Sequence, residues 1–228
     1  MGDRGHQRRD QGVAVKVMEN TVASKSSLSR QGFPIILSAP SGAGKTSLCR
    51  RLVELHPEIV YSISTTSRPP RPNERDGQDY HFVSAAQFEK MLEGDQLLEW
   101  AMVHDNYYGT PRGELAGRLE AGQDVIMDID TVGARSVKRI YPQAVTIFVI
   151  PPSLEALRTR LRSRATDSEE VISKRLNKAR QEMEQLGDFD YWLVNDDFDR
   201  AVDTVAAIIR AERCRLSRYQ REDIIRTI

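Results

Sequence analysis

One short run in the chain has the residue types and spacing of a phosphate-binding loop. The pattern G-x-x-x-x-G-K-[ST] is matched except at its first position, where Ala39 replaces glycine. Glycines let the backbone turn tightly and aim N–H groups inward, and a helix beginning there adds its positive end. The sequence therefore predicts a nucleoside triphosphate site formed by Ala39, Pro40, Ser41, Gly42, Ala43, Gly44, Lys45 and Thr46.

Within that loop, two side chains have distinct chemical tasks. Lys45 is expected to reach the β- and γ-phosphates, and the Thr46 hydroxyl is expected to ligate Mg²⁺. Asp128 and Asp130 follow an apolar run that reads as a buried strand, which places them at the sheet edge where ligands bind. Asp128 is therefore a second candidate partner for Mg²⁺ or its waters. The alternative interpretation is a pair of solvated carboxylates at a strand end.

A second candidate site lies in a proline- and arginine-rich loop. Arg68 and Arg71 lie in this loop, and Tyr80 follows it. Two guanidinium groups and a phenol suit a phosphate dianion, because arginine binds phosphate with bidentate geometry. The alternative is a solvated basic loop, which the flanking prolines and Tyr80 make less attractive.

The elements that must position these residues alternate between strands and helices. Apolar runs at residues 34–38, 60–64, 125–129, 144–150 and 191–194 predict buried strands, and helical spacing follows several of them. This order predicts an α/β P-loop fold of three layers with a mostly parallel central sheet. Short strands and loops from about residue 62 to residue 110 interrupt this alternation of strands and helices, which indicates an inserted subdomain.

The remaining segments complete a single-domain organisation. Residues 1–31 are polar and predict a flexible tail, residues 32–220 the domain, and residues 221–228 a C-terminal tail. An arginine-rich helical region at about 153–180 is predicted after the apolar run at 144–150. Two capping boxes are predicted to begin helices, Ser84 with Gln87 and Thr166 with Glu169.

Composition excludes several classes of protein. The 228 residues carry 33 basic and 33 acidic side chains, so no global positive field attracts nucleic acid or an anionic membrane. No apolar run is long enough to span a bilayer, and no signal peptide is recognisable. Two distant cysteines, Cys49 and Cys214, indicate a reducing compartment, and the expected location is the cytoplasm. An oligomeric state does not follow from the sequence.

Residues 62–83 carry the most specific motif of the chain. They read S-x-S-T-T-S-R-x-P-R-x-x-E-x-x-G-x-D-Y-x-F, and the runs 98–100, 106–110 and 128–130 accompany this motif. With these motifs, the chain closely resembles the guanylate kinases from about residue 33 to residue 219. Two positions depart from the family pattern. Val132 stands where the family usually has Gln, and Asn73 stands where a turn glycine is common.

The resemblance implies transfer of the ATP γ-phosphoryl group to GMP, and to dGMP, giving ADP and GDP in purine metabolism. It implies that the GMP phosphate is held by Arg68, Arg71, Tyr80 and Tyr108. It implies that guanine is read by Ser64, Glu99, Thr110 and Asp130. It implies that a helical lid at about 153–180 closes over the triphosphate with Arg160, Arg164 and Arg175. With Lys45 and Arg68, these three arginines form the implied catalytic set.

The main alternative is a non-catalytic guanylate-kinase-like module that binds a phosphorylated partner. Such a module is expected to have lost phosphate-loop or guanine-site residues, whereas Lys45, Thr46 and Glu99 are all present. A P-loop GTPase is disfavoured because residues 177–180 fail the N-K-x-D motif. A kinase acting on a phosphorylated sugar stays open from the phosphate loop alone, and the guanine-reading set argues against it.

Overall fold

The computed structural model describes residues 30–103, 105–163 and 168–226, which form two β-sheets with helices packed on them. The strands are β1 (Pro34–Ser38), β2 (Ile59–Tyr61), β3 (Thr65–Thr66), β4 (His81–Phe82), β5 (Leu97–Val103), β6 (Asn106–Pro111), β7 (Asp124–Asp128), β8 (Val145–Ile150) and β9 (Tyr191–Val194). The helices are α1 (Lys45–Leu55), α2 (Ala85–Glu93), α3 (Arg112–Glu120), α4 (Thr131–Ile140), α5 (Leu154–Arg162), α6 (Glu169–Met183), α7 (Phe198–Arg213) and α8 (Arg221–Arg226).

The central sheet has five parallel strands in the order β2-β7-β1-β8-β9. Its middle strand β1 is buried along its whole length, because helices cover both faces. Ile35 and Leu37 face a core shared with α1 and α7, whereas Ile36 faces a second core shared with α3 and α4. This arrangement confirms the predicted three-layer α/β fold with a parallel sheet.

The second sheet has four strands in the order β4-β3-β6-β5 and lies between β2 and β7 in sequence. Its strands pair antiparallel except for β3 with β4. Strand β5 joins it to the central core, since Leu98 packs with Met127 and Ala134. We call residues 62–110 the insertion.

Helices α5 and α6 pack mainly on each other, with Leu157, Leu161, Ile172 and Leu176 forming a separate small core. Arg162 on α5 donates two hydrogen bonds to Glu169 on α6, at 2.7 and 2.9 Å. In the part of the chain that the structure describes, no helix is long and apolar enough to cross a membrane.

The structure differs from some of the local predictions and confirms one. Helix α4 was not predicted, and Asp130, assigned to guanine reading, also caps it by accepting from Gly133 N–H at 2.8 Å. The predicted Ser84–Gln87 capping box is confirmed at α2. The predicted capping box at Thr166 is wrong in its cap residue, because α6 is capped by Ser168; Thr166 itself lies outside the described residues. Helix α8 lies in the segment predicted as a C-terminal tail.

An ion cluster at the start of β7 ties the first described residue and the end of α7 to the sheet. The Asp124 carboxylate is fully buried and accepts from Arg30 at 2.6 Å and from Arg213 on α7 at 2.7 Å. It also accepts from the backbone N–H of Phe33 at 3.3 Å. Two guanidinium groups and an amide therefore share one carboxylate as a partner.

We predict that Asp124→Asn lowers the free energy of unfolding by about 3 kcal/mol, because it removes the buried counter-charge of two part-buried guanidinium groups. Urea denaturation followed by circular dichroism measures this. The matched control is Asp95→Asn, which breaks an Asp–Arg pair whose acid is 83% exposed and should change stability by less than about 1 kcal/mol. Equal effects of the two substitutions would contradict the role given to the buried pair.

Candidate active site

The phosphate loop follows β1 and leads directly into α1. Gly42 and Gly44 have φ angles of 95° and 99°, a region that side-chain-bearing residues rarely adopt. Gly44 is the N-cap of α1, and no side chain caps the helix there. The first-turn N–H groups of α1 are therefore available to an anion.

The loop is supported from behind by the residue that follows β9. Buried Asn195 donates from its Nδ2 to the Ala43 carbonyl at 2.8 Å. A Cβ at Gly44 would come within 2.6 Å of the same amide nitrogen, so this position needs glycine for space as well as for its φ angle. Asn195 therefore acts as a support of the loop.

The substitution at the first loop position is accommodated. Ala39 has a negative φ, is buried, and uses its carbonyl to accept from Lys45 Nζ at 2.8 Å. A Cβ is therefore tolerated, and the ammonium group is held at the loop.

Asp128 ends β7 and lies beside the beginning of α1. Its two carboxylate oxygens accept hydrogen bonds from the hydroxyls of Thr46 and Tyr61. The structure thus brings together Thr46 and Asp128, the two residues predicted to hold Mg²⁺. Carboxylate and hydroxyl oxygens, with room for water, are the hard ligands that this ion takes.

Three of the four predicted phosphate-binding residues of the insertion form one cluster. Arg68 donates from Nε to the Tyr108 hydroxyl at 3.2 Å, and its guanidinium lies 5.6 Å from the centre of the Tyr80 ring. Glu74 fixes the same guanidinium with a 3.0 Å ion pair in which both side chains are 15% exposed. Arg71 lies in the same loop but is 65% exposed, with its guanidinium 3.9 Å from Glu74.

The predicted guanine-reading residues lie at the junction of the insertion and the central domain. Thr110 on β6 is fully buried and donates to Glu99 Oε1 on β5 at 2.5 Å. Burial raises the pKa of Glu99 to about 7. The hydrogen bond from Thr110 lowers this pKa, whereas the negative charge of nearby Asp130 raises it further. Ser64 is half-buried just before β3, and its carbonyl accepts from His81 N–H at 2.8 Å.

The insertion also lies close to the sheet edge that carries Asp128. Burial raises the pKa of Tyr80 to about 12, and the charge of Asp128 is the next largest cause. Arg50 on α1 forms an ion pair with Asp79, the residue before Tyr80. The arginine–tyrosine cluster therefore faces the same region as Thr46 and Asp128.

The predicted lid arginines have different positions. Arg160 on α5 donates to the Asn195 carbonyl at 2.9 Å and to the Ala43 carbonyl at 3.5 Å, so it lies against the phosphate loop. Arg175 is half-buried on α6. Arg164 lies outside the described residues.

Sequence reasoning gave no role to several residues that the structure places in this site. Tyr61 binds Asp128, and Glu74 holds Arg68 although it was visible only as a motif position. The Glu182 side chain on α6 is 14% exposed. Burial raises the pKa of Glu182, although the positive charges of Lys178 and Lys45 lower it. A lone acid in a charged helix gives no sequence signal, because its importance depends on what the fold places opposite it.

Comparisons with known proteins agree with this geometry. The family model described as guanylate kinase matches residues 31–212 of the chain. The chain is 47% identical over 192 residues to the guanylate kinase of Caldanaerobacter subterraneus subsp. tengcongensis, a match that spans 84% of this chain and 93% of that relative. It is 49% identical over 187 residues to the guanylate kinase of Desulfitobacterium hafniense, spanning 82% and 94%.

The chain belongs to the guanylate kinase family. A crystal structure of guanylate kinase from Anaplasma phagocytophilum matches the fold with a TM-score of 0.71 at 32% identity, covering 84% of this chain and 92% of that one. The predicted family, fold class and enzyme class, a nucleotide-binding kinase, are confirmed.

We predict that Glu99 titrates near pH 7 in the ligand-free protein. Carbon-13 NMR of labelled glutamate carboxyls measures this, with Glu99→Gln identifying the resonance. Asp130→Asn should lower the pKa of Glu99, because it removes a like charge, but should leave it above 4.5, because burial remains.

The raised pKa also carries a stability effect. Because the folded protein binds the Glu99 proton more tightly than the unfolded chain, this group lowers stability as pH rises from about 4.5 to 7. A Glu99 resonance that titrates near pH 4.5 would contradict the burial of this carboxyl.

Proposed function

We propose that the chain transfers the γ-phosphoryl group of ATP to GMP, and to dGMP, producing ADP and GDP as a cytoplasmic enzyme of purine nucleotide metabolism. One observation supports this most directly. The buried Glu99–Thr110 pair and the Arg68–Tyr108 cluster lie on one insertion and face the sheet edge that carries the phosphate loop. This arrangement supports a single site that combines base recognition with an acceptor phosphate and a donor phosphate.

Guanine recognition is assigned to Glu99 with Thr110, Asp130 and Ser64. Guanine presents N1–H and N2–H donors, and an ionised Glu99 accepts both. Adenine presents a lone pair at N1, which would face the carboxylate. When the wrong base leaves buried polar groups of the site unpaired, its kcat/KM can be about 10⁴-fold lower than that of the right base.

The acceptor phosphate is assigned to Arg68, Arg71, Tyr80 and Tyr108. Glu74 keeps the Arg68 guanidinium in place, so little side-chain entropy is lost when the phosphate binds. The Arg71 side chain is 65% exposed, so its guanidinium can leave its 3.9 Å contact with Glu74 and turn toward the ligand.

The donor triphosphate is assigned to residues 39–46. Mg²⁺ would be held by Thr46 and Asp128, and when bound it neutralises charge on the β- and γ-phosphate oxygens. The Tyr61 hydroxyl donates to the Asp128 carboxylate and would orient it as a ligand for this ion.

Phosphoryl transfer here needs positioning and charge rather than a base. The GMP phosphate oxygen is already a nucleophile, so no proton has to be removed before it attacks the γ-phosphorus. Lys45 and the lid arginines Arg160, Arg164 and Arg175 would stabilise the charge of the transferring group. Closure of α5 and α6 over the cleft would exclude water and suppress ATP hydrolysis.

The non-catalytic interaction module is the weaker proposal. It requires a phosphate site alone, whereas this chain keeps Lys45 at the loop and the Thr46–Asp128 pair beside it. Nothing in phosphopeptide binding calls for those groups.

We predict that GMP and dGMP are phosphorylated far faster than AMP, UMP and CMP in a coupled assay of ADP release. The KM for GMP should rise as pH falls below about 7, because protonated Glu99 cannot accept from guanine N1–H and N2–H. Equal rates with GMP and AMP would contradict the role of Glu99.

We further predict that Lys45→Met lowers kcat by about 10³-fold or more without changing the fold, because the transferring phosphoryl group loses its main cationic partner. Thermal unfolding and circular dichroism check the fold. The control is Lys90→Met on the exposed surface of α2, which should keep normal turnover. Normal turnover in Lys45→Met would refute the assignment of the phosphate loop.

A further inference from the structure

The first turn of α4 lies directly against the carboxyl group of Glu99. A Cβ built on Gly133 would come within 2.7 Å of Glu99 Oε2 and 3.1 Å of Glu99 Cδ. It would also lie 3.4 Å from Asp130 Oδ1. Real Cβ atoms essentially never make contacts under 3.0 Å, so any side chain at position 133 must displace Glu99 or the helix.

Backbone conformation does not explain glycine at this position. Gly133 lies inside α4 and has a negative φ, where alanine is the better helix former. Gly133 N–H donates to the Asp130 cap, an interaction that alanine would keep. The space occupied by Glu99 is therefore the reason that position 133 needs glycine.

Glu99 cannot move away freely from an added side chain. Its other oxygen, Oε1, accepts from Thr110 at 2.5 Å, and Glu99 and Thr110 are paired across β5 and β6. Leu98, the preceding residue, is buried in the core that includes Ala134. A shift of the carboxyl group would break the Thr110 contact or disturb that core.

We infer that Gly133 is a positioning residue for guanine selection, since its missing side chain provides the space that holds the Glu99 carboxyl group beside Asp130. The inference rests on the proposed function for its effect on GMP. Because α4 belongs to the central domain and β5 to the insertion, base selection would depend on packing across their junction.

The first experiment compares Gly133→Ala with Gly117→Ala. Gly117 lies in α3, and a Cβ there would meet nothing within 4 Å. We expect Gly133→Ala to raise the KM for GMP by about 10²-fold, the effect of a displacement of about 1 Å, with the KM for ATP unchanged and the preference for GMP over AMP reduced. Gly117→Ala should match the wild type. A Gly133→Ala enzyme with wild-type KM values and base preference would overturn the inference.

The second experiment tests whether Glu99 is the group that is displaced. Aspartate is shorter by one methylene, so in a Glu99→Asp background a methyl group added at position 133 has room. We expect Gly133→Ala to reduce kcat/KM for GMP by only a few-fold there, against about 10²-fold in the wild type. An equal loss in both backgrounds would overturn the inference, because the added methyl would then act elsewhere.

The third experiment needs no catalysis and separates this inference from the proposed function. Gly133→Ala should lower Tm in the wild type but raise it in a Glu99→Ala background, where the obstacle is gone and only helix propensity remains. A lower Tm in both backgrounds would overturn the inference. A wild-type protein that does not phosphorylate GMP would refute the proposed function, while the Tm comparison would still test the contact.

Discussion

Parallel strands bring their carboxyl ends to one edge of a sheet, and this constraint assembles the site. Strand β1 leads into the phosphate loop, β7 into Asp128 and Asp130, and β9 into Asn195. The three segments are far apart in sequence but lie on adjacent or nearly adjacent strands. The sheet order therefore brings together the loop support, the carboxylate proposed to hold Mg²⁺ and the N-cap of α4. The insertion adds the proposed acceptor site against the same edge.

Charge is distributed unevenly along this cleft. The phosphate loop and its neighbours present Lys45 and Arg160, whereas the junction with the insertion presents Glu99 beside Asp130. Burial of Glu99 next to a second acid opposes ionisation, and a ligand that donates two hydrogen bonds would favour it. Burial beside Asp130 makes the ionised Glu99 carboxyl unfavourable in the free protein. The same burial suits Glu99 to select a base that presents paired hydrogen-bond donors.

Sequence reasoning predicted the elements with strong local signals. The phosphate loop, the buried strands β1, β7 and β8, and the cap at Ser84 depend on neighbours in the chain, so spacing was sufficient. The predicted burial of residues 191–194 was wrong in part, because Trp192 on β9 is 57% exposed. Helix α4 was missed because its N-cap, Asp130, was assigned to ligand binding instead. Asn195 and Gly133 depend on contacts with distant segments, and no pattern in one sequence shows what a buried amide or a helical glycine will touch.

The donor and acceptor sites are proposed to act together on one phosphoryl group, and every assigned residue role depends on that. The most direct test is a single-turnover reaction of γ-³²P-ATP with enzyme in excess over GMP, with products separated by chromatography. We expect the label to appear in the β-phosphate of GDP, with little inorganic phosphate. Label released mainly as inorganic phosphate, or retained in ATP, would contradict this.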